Sequence, residues 1–241
     1  MKTLIARILK ETSFEKNPYF VRLTKGTFSK ADFIETQIQF FNAVIFFSRP
    51  MSALAAKIPS PELRMEILRN VWEEHGEGDV GRHHSTTFLE FLVRMDGIKS
   101  SEDLARRALW PEVRIFNTTL AGACVLDDYL IGVGMMGMIE RMFCEISNWI
   151  GKAVVARGWL APKQMIHYNL HKKLDIRHSQ DFFAVLAPAW EASRDNRYYI
   201  EQGLWLGATL FNNLYEGLYR HRGRRLMRDT LGPHSRAEGA T

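Results

Sequence analysis

Apolar residues recur every three or four positions through most of this chain; in three segments an acid or an imidazole takes a place on that stripe, and in a fourth two imidazoles and an acid share one helical face. A period of three to four residues builds helices that bury one face. A charge on a buried face is costly unless it is paired or bound to a cation. The chain is therefore constrained to a set of packed helices whose interior accommodates ionisable side chains. The clearest case lies in Met165–His178, which contains no Gly or Pro and places His171, Asp175 and His178 at i, i+4 and i+7. At about 100° per residue these three share one helical face. Two imidazoles and one carboxylate form a ligand set common in redox-active iron sites, where it leaves coordination positions open for dioxygen and substrate.

Three further segments repeat the anomaly. In residues 61–76 the apolar stripe runs through Leu63, Ile67, Leu68 and Val71, and Glu74 continues it, whereas Glu73 aligns with Glu66 and Arg69 on the polar face. In residues 80–96 the stripe is Val80, Phe88, Phe91, Leu92 and Met95, with His84 inside it and His83 turned to water. In residues 132–145 Glu140 shares a face with Val133, Met136 and Phe143, while Glu145 lies near Met138, Met142 and Trp149, so periodicity favours Glu140 and leaves Glu145 open. Gly132, Gly134 and Gly137 would be costly in an exposed helix and imply close helix packing or an opening for substrate.

Glu74, His84, Glu140, His171, Asp175 and His178 thus form a set of three carboxylates and three imidazoles drawn from four helices. Such a set suits two transition-metal ions inside a helical bundle, and its three negative charges nearly balance two divalent cations. His167, one turn before His171, and the adjacent Tyr168 are candidates for a supporting role: His167 orients a ligand, moves a proton or stands at the cavity rim.

This spacing, Glu74-x9-His84, then Glu140, then His171-x3-Asp175-x2-His178, resembles the ligand pattern of the haem-oxygenase-like dimetal oxidases. Within them it is most similar to the branch around the chlamydial protein associating with death domains, a relative of pyrroloquinoline-quinone synthase and the thiaminases. The likeness extends from about Asn17 to Leu218 and begins with Tyr19-Phe20-Val21-Arg22-Leu23-Thr24-Lys25-Gly26. It implies an all-α, haem-oxygenase-like bundle without haem. It further implies two iron ions, or iron with manganese, at those six residues and O2 as co-substrate; Glu140, with His167 and Tyr168 from the stripe itself, is then a candidate for the chemistry. One branch makes p-aminobenzoate by consuming its own tyrosine beside a lysine. Phe20 stands at the matching tyrosine position with Tyr19 before it, and the lysine position falls near Trp149 or Ile150, two or three residues short of Lys152. This departure favours an external substrate: a small amine or amino-acid-derived metabolite undergoing N-oxygenation or oxidative bond cleavage in a biosynthetic pathway, with electrons from an external donor. The alternatives are the self-consuming synthase and a metal-free oxidase of the pyrroloquinoline-quinone-synthase type. A thiaminase-like hydrolase would need a nucleophilic cysteine, and no Cys/His/Glu arrangement surrounds Cys124 or Cys144.

The remaining sequence fits one helical domain over residues 1–219. At 241 residues and 46% hydrophobic content the chain can bury one substantial core. Two cysteines in apolar surroundings and a charged N-terminus without an apolar h-region imply a reducing, cytoplasmic setting. The longest uncharged apolar run, 129–139, is too short for a membrane span. Net charge is +5, yet residues 220–241 hold six Arg against one Asp and one Glu, which leaves +1 for the body. That basic end is expected to be solvated and partly disordered, with no nucleic-acid or membrane partner. A homodimer is common in related folds.

Helices are expected over 2–12, 29–48, 50–57, 61–76, 80–96, 100–107, 111–123, 127–157, 162–180, 181–191 and 195–220. Ser29 with Asp32 and Ser100 with Asp103 are capping-box-like starts. Phe40, Phe41, Phe46 and Phe47, with Gln37, Gln39 and Arg49, either line a substrate pocket or, as aromatic stripes ordinarily do, fill the core. Arg197 and Tyr198 are further candidates for meeting a carboxylate-bearing ligand.

Overall fold

The computed structural model describes residues 1–228, apart from the side chains of residues 170–175. The described residues form ten α-helices and no strand: α1 Lys2–Thr12, α2 Pro18–Thr24, α3 Lys30–Lys57, α4 Pro61–Glu74, α5 His84–Arg94, α6 Ser101–Ala105, α7 Pro111–Ala121, α8 Tyr129–Ala156, α9 Ile166–Ala192 and α10 Arg194–Arg220. The all-α expectation is met. α8 is the hub, with α9 and α10 packed along it and α3 closing the bundle against α4, α5 and α7. The glycines of α8 serve close packing. A Cβ on Gly134 would lie 3.1 Å from the Ile200 carbonyl of α10, and one on Gly137 would lie 2.8 Å from Phe182 Cβ of α9.

Several boundaries differ from the sequence expectation for local reasons. α3 runs unbroken through Pro50, because its neighbours Ser48, Met51, Leu54 and Ala55 are buried and packing outweighs the lost backbone bond. The expected helices 162–180 and 181–191 are one, α9, which likewise carries Pro188. The short α2 spans too few residues to show a period, although Pro18 opens it and the Asn17 side chain accepts from Tyr19 N–H at 3.0 Å. Ser29 caps α3 by accepting from Asp32 N–H. Ser100 makes no such bond, and Asp103 instead accepts from Lys99 N–H at 2.7 Å.

The expected helix over 80–96 begins only at His84, and Val80, assigned to its apolar stripe, is 79% exposed. Gly76, Glu77 and Gly78 all have positive φ and stop α4. Two single 3-10 turns follow, and the His83 ring then caps α5 by accepting from Ser85 N–H at 3.1 Å.

The segment after α10, expected to be a solvated end, lies against the body as far as Arg228. Ala108 N–H donates to Leu226 O at 2.9 Å and Arg228 N–H to Arg106 O at 2.8 Å. Arg224 pairs with Glu112, and Arg225 pairs with Asp32 and approaches the buried Glu35, which also holds Arg107. Among the described residues no helix is long and apolar enough to cross a membrane.

Candidate metal centre

The loop between α4 and α5 turns two distant positions into neighbours. Gly76 sits at φ +69°, and a Cβ there would lie 2.7 Å from His83 N, so only glycine lets the chain fold back this tightly. Glu74, the last residue of α4, therefore meets His84, the first of α5, with His84 Nδ1 2.8 Å from Glu74 Oε2. Both are buried.

Glu140, midway along α8, and His178 on α9 face the same point. Both are buried, and His178 Nδ1 lies 3.8 Å from Glu140 Oε2, too far for a hydrogen bond. One donor atom each from Glu74, Glu140 and His178 lie within 4.8 Å of one another. Glu145, left open by periodicity, pairs with Arg141 at 2.7 Å with its side chain 40% exposed. Helix α8 thus turns Glu140 inward and Glu145 outward.

Glu73 departs from the sequence reading, which placed it on the polar face. Helix α9 covers that flank of α4, as the Asn70 Nδ2 bond to Asp181 Oδ2 at 3.0 Å also shows. The Glu73 side chain is only 10% exposed; its Oε2 lies 2.7 Å from His178 Nε2 and also pairs with Arg177. The His178 Nε2–H is thereby committed to Glu73, which leaves Nδ1, buried and without a hydrogen bond, aimed at Glu140 and Glu74. Burial lowers the His178 pKa, but the Glu140 carboxylate, followed by those of Glu74 and Glu73, outweighs this and raises it to about 10. Without a cation, the three acids are thus partly balanced by imidazolium.

The donor set fits a metal ion: two carboxylates and an imidazole nitrogen converge in a buried space, and among the described residues that nitrogen has no hydrogen-bond partner. His84 stands beside Glu74 at the edge of the three-donor group. His171 and Asp175, the other two sequence candidates, lie outside the described residues.

A narrow cleft opens from this centre, with Glu74, His84, Glu140 and His167 at its polar end. Phe40 and Phe47 of α3 join its wall, so part of the aromatic stripe lines a cavity, while Gln39 is spent on Ala108 O and Trp110 N–H. His167 is fully buried; its Nδ1 lies 3.1 Å from Thr87 Oγ1 and its ring packs on Phe88. Tyr168 points elsewhere. Its hydroxyl donates to Gln37 Oε1, Gln37 Nε2 donates to Tyr19 OH at 2.7 Å, and Tyr19 OH also meets Thr36 Oγ1. Burial raises the pKa of both tyrosines.

Neither Tyr19, Phe20 nor Lys152 lines the cleft: Phe20 packs against Trp149, and Lys152 borders a separate groove beside Ser147 and Tyr168. Arg197 is engaged by Trp190 O at 2.7 Å, and Tyr198 is exposed. Cys124 is buried, which pushes its thiol up to about 12 and leaves it a poor nucleophile.

A family of iron-containing redox enzymes matches residues 35–212, a span that includes all six sequence-derived ligand candidates. The chain is 19% identical over 180 residues, 74% of each chain, to the 4-aminobenzoate synthase of Chlamydia muridarum. A domain of unknown function with a heme oxygenase-like fold from Shewanella denitrificans superposes with TM-score 0.72 at 14% identity, covering 91% of this chain and 89% of that one. A CADD-like protein of unknown function from Nostoc punctiforme does so with TM-score 0.69 at 16% identity, covering 92% and 96%.

Proposed function

Because the chain belongs to the family of iron-containing redox enzymes, we propose that it is a non-haem dimetal oxidase or oxygenase that uses O2 on a small external amine. N-oxygenation is the leading outcome and oxidative bond cleavage the other. The observation that carries this reading is the buried convergence of Glu74, Glu140 and His178 within 4.8 Å, with His178 Nδ1 unbonded.

In this reading Glu74, His84, Glu140 and His178 hold iron, with His171 and Asp175 completing a site for two ions, iron with iron or iron with manganese. Bound iron supplies electron transfer to O2 and Lewis acidity. Glu73 keeps the proton on His178 Nε2 so that Nδ1 is the ligating atom. Glu140, fixed on the rigid central helix, positions a carboxylate between the ligands and the substrate space. His167, tied to Thr87, stands at that polar end and exchanges a proton with the substrate nitrogen. The apolar wall excludes water. Electrons beyond those of the substrate come from an external donor.

Synthesis of 4-aminobenzoate from the chain's own tyrosine is the weaker reading. The position matching the consumed tyrosine is Phe20, and the adjacent Tyr19 hydroxyl is held by Thr36 and Gln37 away from the cleft.

The test is anaerobic reconstitution with Fe(II), gel filtration and metal analysis of the wild type, Glu140→Ala and His178→Ala, with circular dichroism as a check on folding. The wild type retains iron and takes up O2 when air is admitted, and both variants lose iron while staying helical. A wild type that retains none, or variants that retain as much, refutes the proposal.

A further inference from the structure

The cleft separates its chemistry sharply. Ionisable side chains gather at the inner end, where Glu74 and Glu140 present two carboxylates. Among the described residues the rest of the wall is hydrocarbon, contributed chiefly by Phe40, Val44, Phe47, Phe116, Phe143 and Phe211, and carries no lysine, arginine, amide or hydroxyl. These residues come from α3, α7, α8 and α10, so the apolar surface encloses the ligand body on several sides.

Such a wall discriminates by what it fails to offer. A second charged or hydrogen-bonding group on the ligand would lose its water without gaining a partner, which lowers affinity by about 10- to 100-fold. A group at the inner end escapes this cost if it complements two carboxylates. An amine does so, as ammonium beside Glu74 and Glu140 or as a neutral donor to a metal, whereas a carboxylate meets like charge there in the metal-free protein.

Resting on the assignment of this cleft as the oxidase site, we infer that the substrate is a monofunctional amine: one nitrogen at the carboxylate end, on an aliphatic or aryl body with no second polar group. This excludes free amino acids, polyamines and sugars, and so narrows the substrate to apolar amines.

The test is calorimetric titration of the full chain, metal-free and separately loaded with Fe(II) under argon, with butylamine, hexylamine, octylamine, 1,6-diaminohexane, 6-aminohexanoate and hexanoate. Each added methylene of the monoamines tightens binding about fourfold until the cleft is full. The diamine and 6-aminohexanoate bind about 10- to 100-fold more weakly than hexylamine, and hexanoate binds the metal-free protein more weakly as well. Phe47→Ala, which opens the wall, moves the limit to longer amines, and Val44→Ala serves if that variant does not fold. Affinity that is flat with chain length overturns the inference, as does a diamine or 6-aminohexanoate that binds as well as hexylamine. Tighter hexanoate binding in the metal-free protein overturns the choice of an amine head. Methylene increments that persist in a protein unable to retain iron uphold this inference and remove the oxidase reading. Loss of the increments in a protein that keeps iron does the reverse.

Discussion

Replacing Glu73 by alanine separates a residue that merely pairs with a surface arginine from one that holds a ligand in place. His178 is fully buried, and its Nε2 lies 2.7 Å from Glu73 Oε2. Removing the acceptor strands a buried imidazole N–H, which costs about 1–3 kcal/mol. The Arg177 half of the contact adds little, because that side chain is 49% exposed and its ion pair is screened by solvent. For a domain of this size, about 2 kcal/mol lowers Tm by roughly 4–8 °C. Iron affinity falls further, by about 10- to 100-fold, because the ring loses the bond that directs Nδ1 toward Glu140 and Glu74.

Glu73→Gln keeps an acceptor oxygen but loses the charge, so it should fall between wild type and alanine in both Tm and iron Kd. Thermal melts, competitive Fe(II) titration under argon and ¹⁵N chemical shifts of the His178 ring read the three consequences separately. Iron Kd values for Glu73→Ala equal to wild type, or a glutamine variant as impaired as alanine, would refute the positioning role.

In the metal-free protein the His178 pKa is raised to about 10 from the ordinary 6.5, so its stabilising contribution is complete below pH 6.5 and is lost as pH climbs towards 10. Urea melts should show wild type losing more stability than His178→Asn between pH 6 and 10, and parallel curves would contradict this. Iron must displace that proton, so Fe(II) affinity should improve by about tenfold per pH unit between pH 7 and 9 from this group alone. Gly76→Ala places a Cβ 2.7 Å from His83 N at φ +69°; about 1–2 kcal/mol of strain and weaker iron retention should follow, measured by melt and metal analysis. Gly122→Ala, where a Cβ meets nothing within 4 Å, should be neutral. Arg107→Ala removes the nearer cation from the buried Glu35 carboxylate and leaves Arg225 at 3.7 Å, so it should cost about 1–3 kcal/mol, most of it recovered by adding Glu35→Gln, as a double-mutant cycle would read out.

The helical class and the inward direction of Glu74, His84 and Glu140 were legible because each lies on its segment's apolar stripe, and burial follows that stripe wherever a helix packs on one side; His178 was legible only through the face it shares with His171 and Asp175. Glu73 was not legible. Its place on α4 is polar by periodicity, and only the approach of α9 along a second flank, marked by Asn70 and Asp181, turns it inward. Two-sided burial leaves no trace in the period of a single helix, since the covering residues lie about a hundred positions away in the chain. The helix breaks failed in the opposite direction. Pro50 is a local signal for stopping a helix, and tertiary packing overrode it, while the boundary expected at 180–181 lies inside the unbroken α9.

The loop at 75–83 shows the third case, in which the local signal was present and its consequence was not. Gly76 and Gly78 marked the end of α4, but periodicity then carried Val80 into the next helix, and nothing in the stripe indicated that the chain folds back until Gly76 touches His83. That contact is what makes a ten-residue separation between Glu74 and His84 compatible with a 2.8 Å approach. A continuous helix over those ten residues would instead hold them about 15 Å apart along its axis. The spacing of two ligand candidates in sequence therefore carries geometric meaning only together with the glycine between them. A relative with the same Glu and His, but with a β-branched residue at the Gly76 position, should not form the pair.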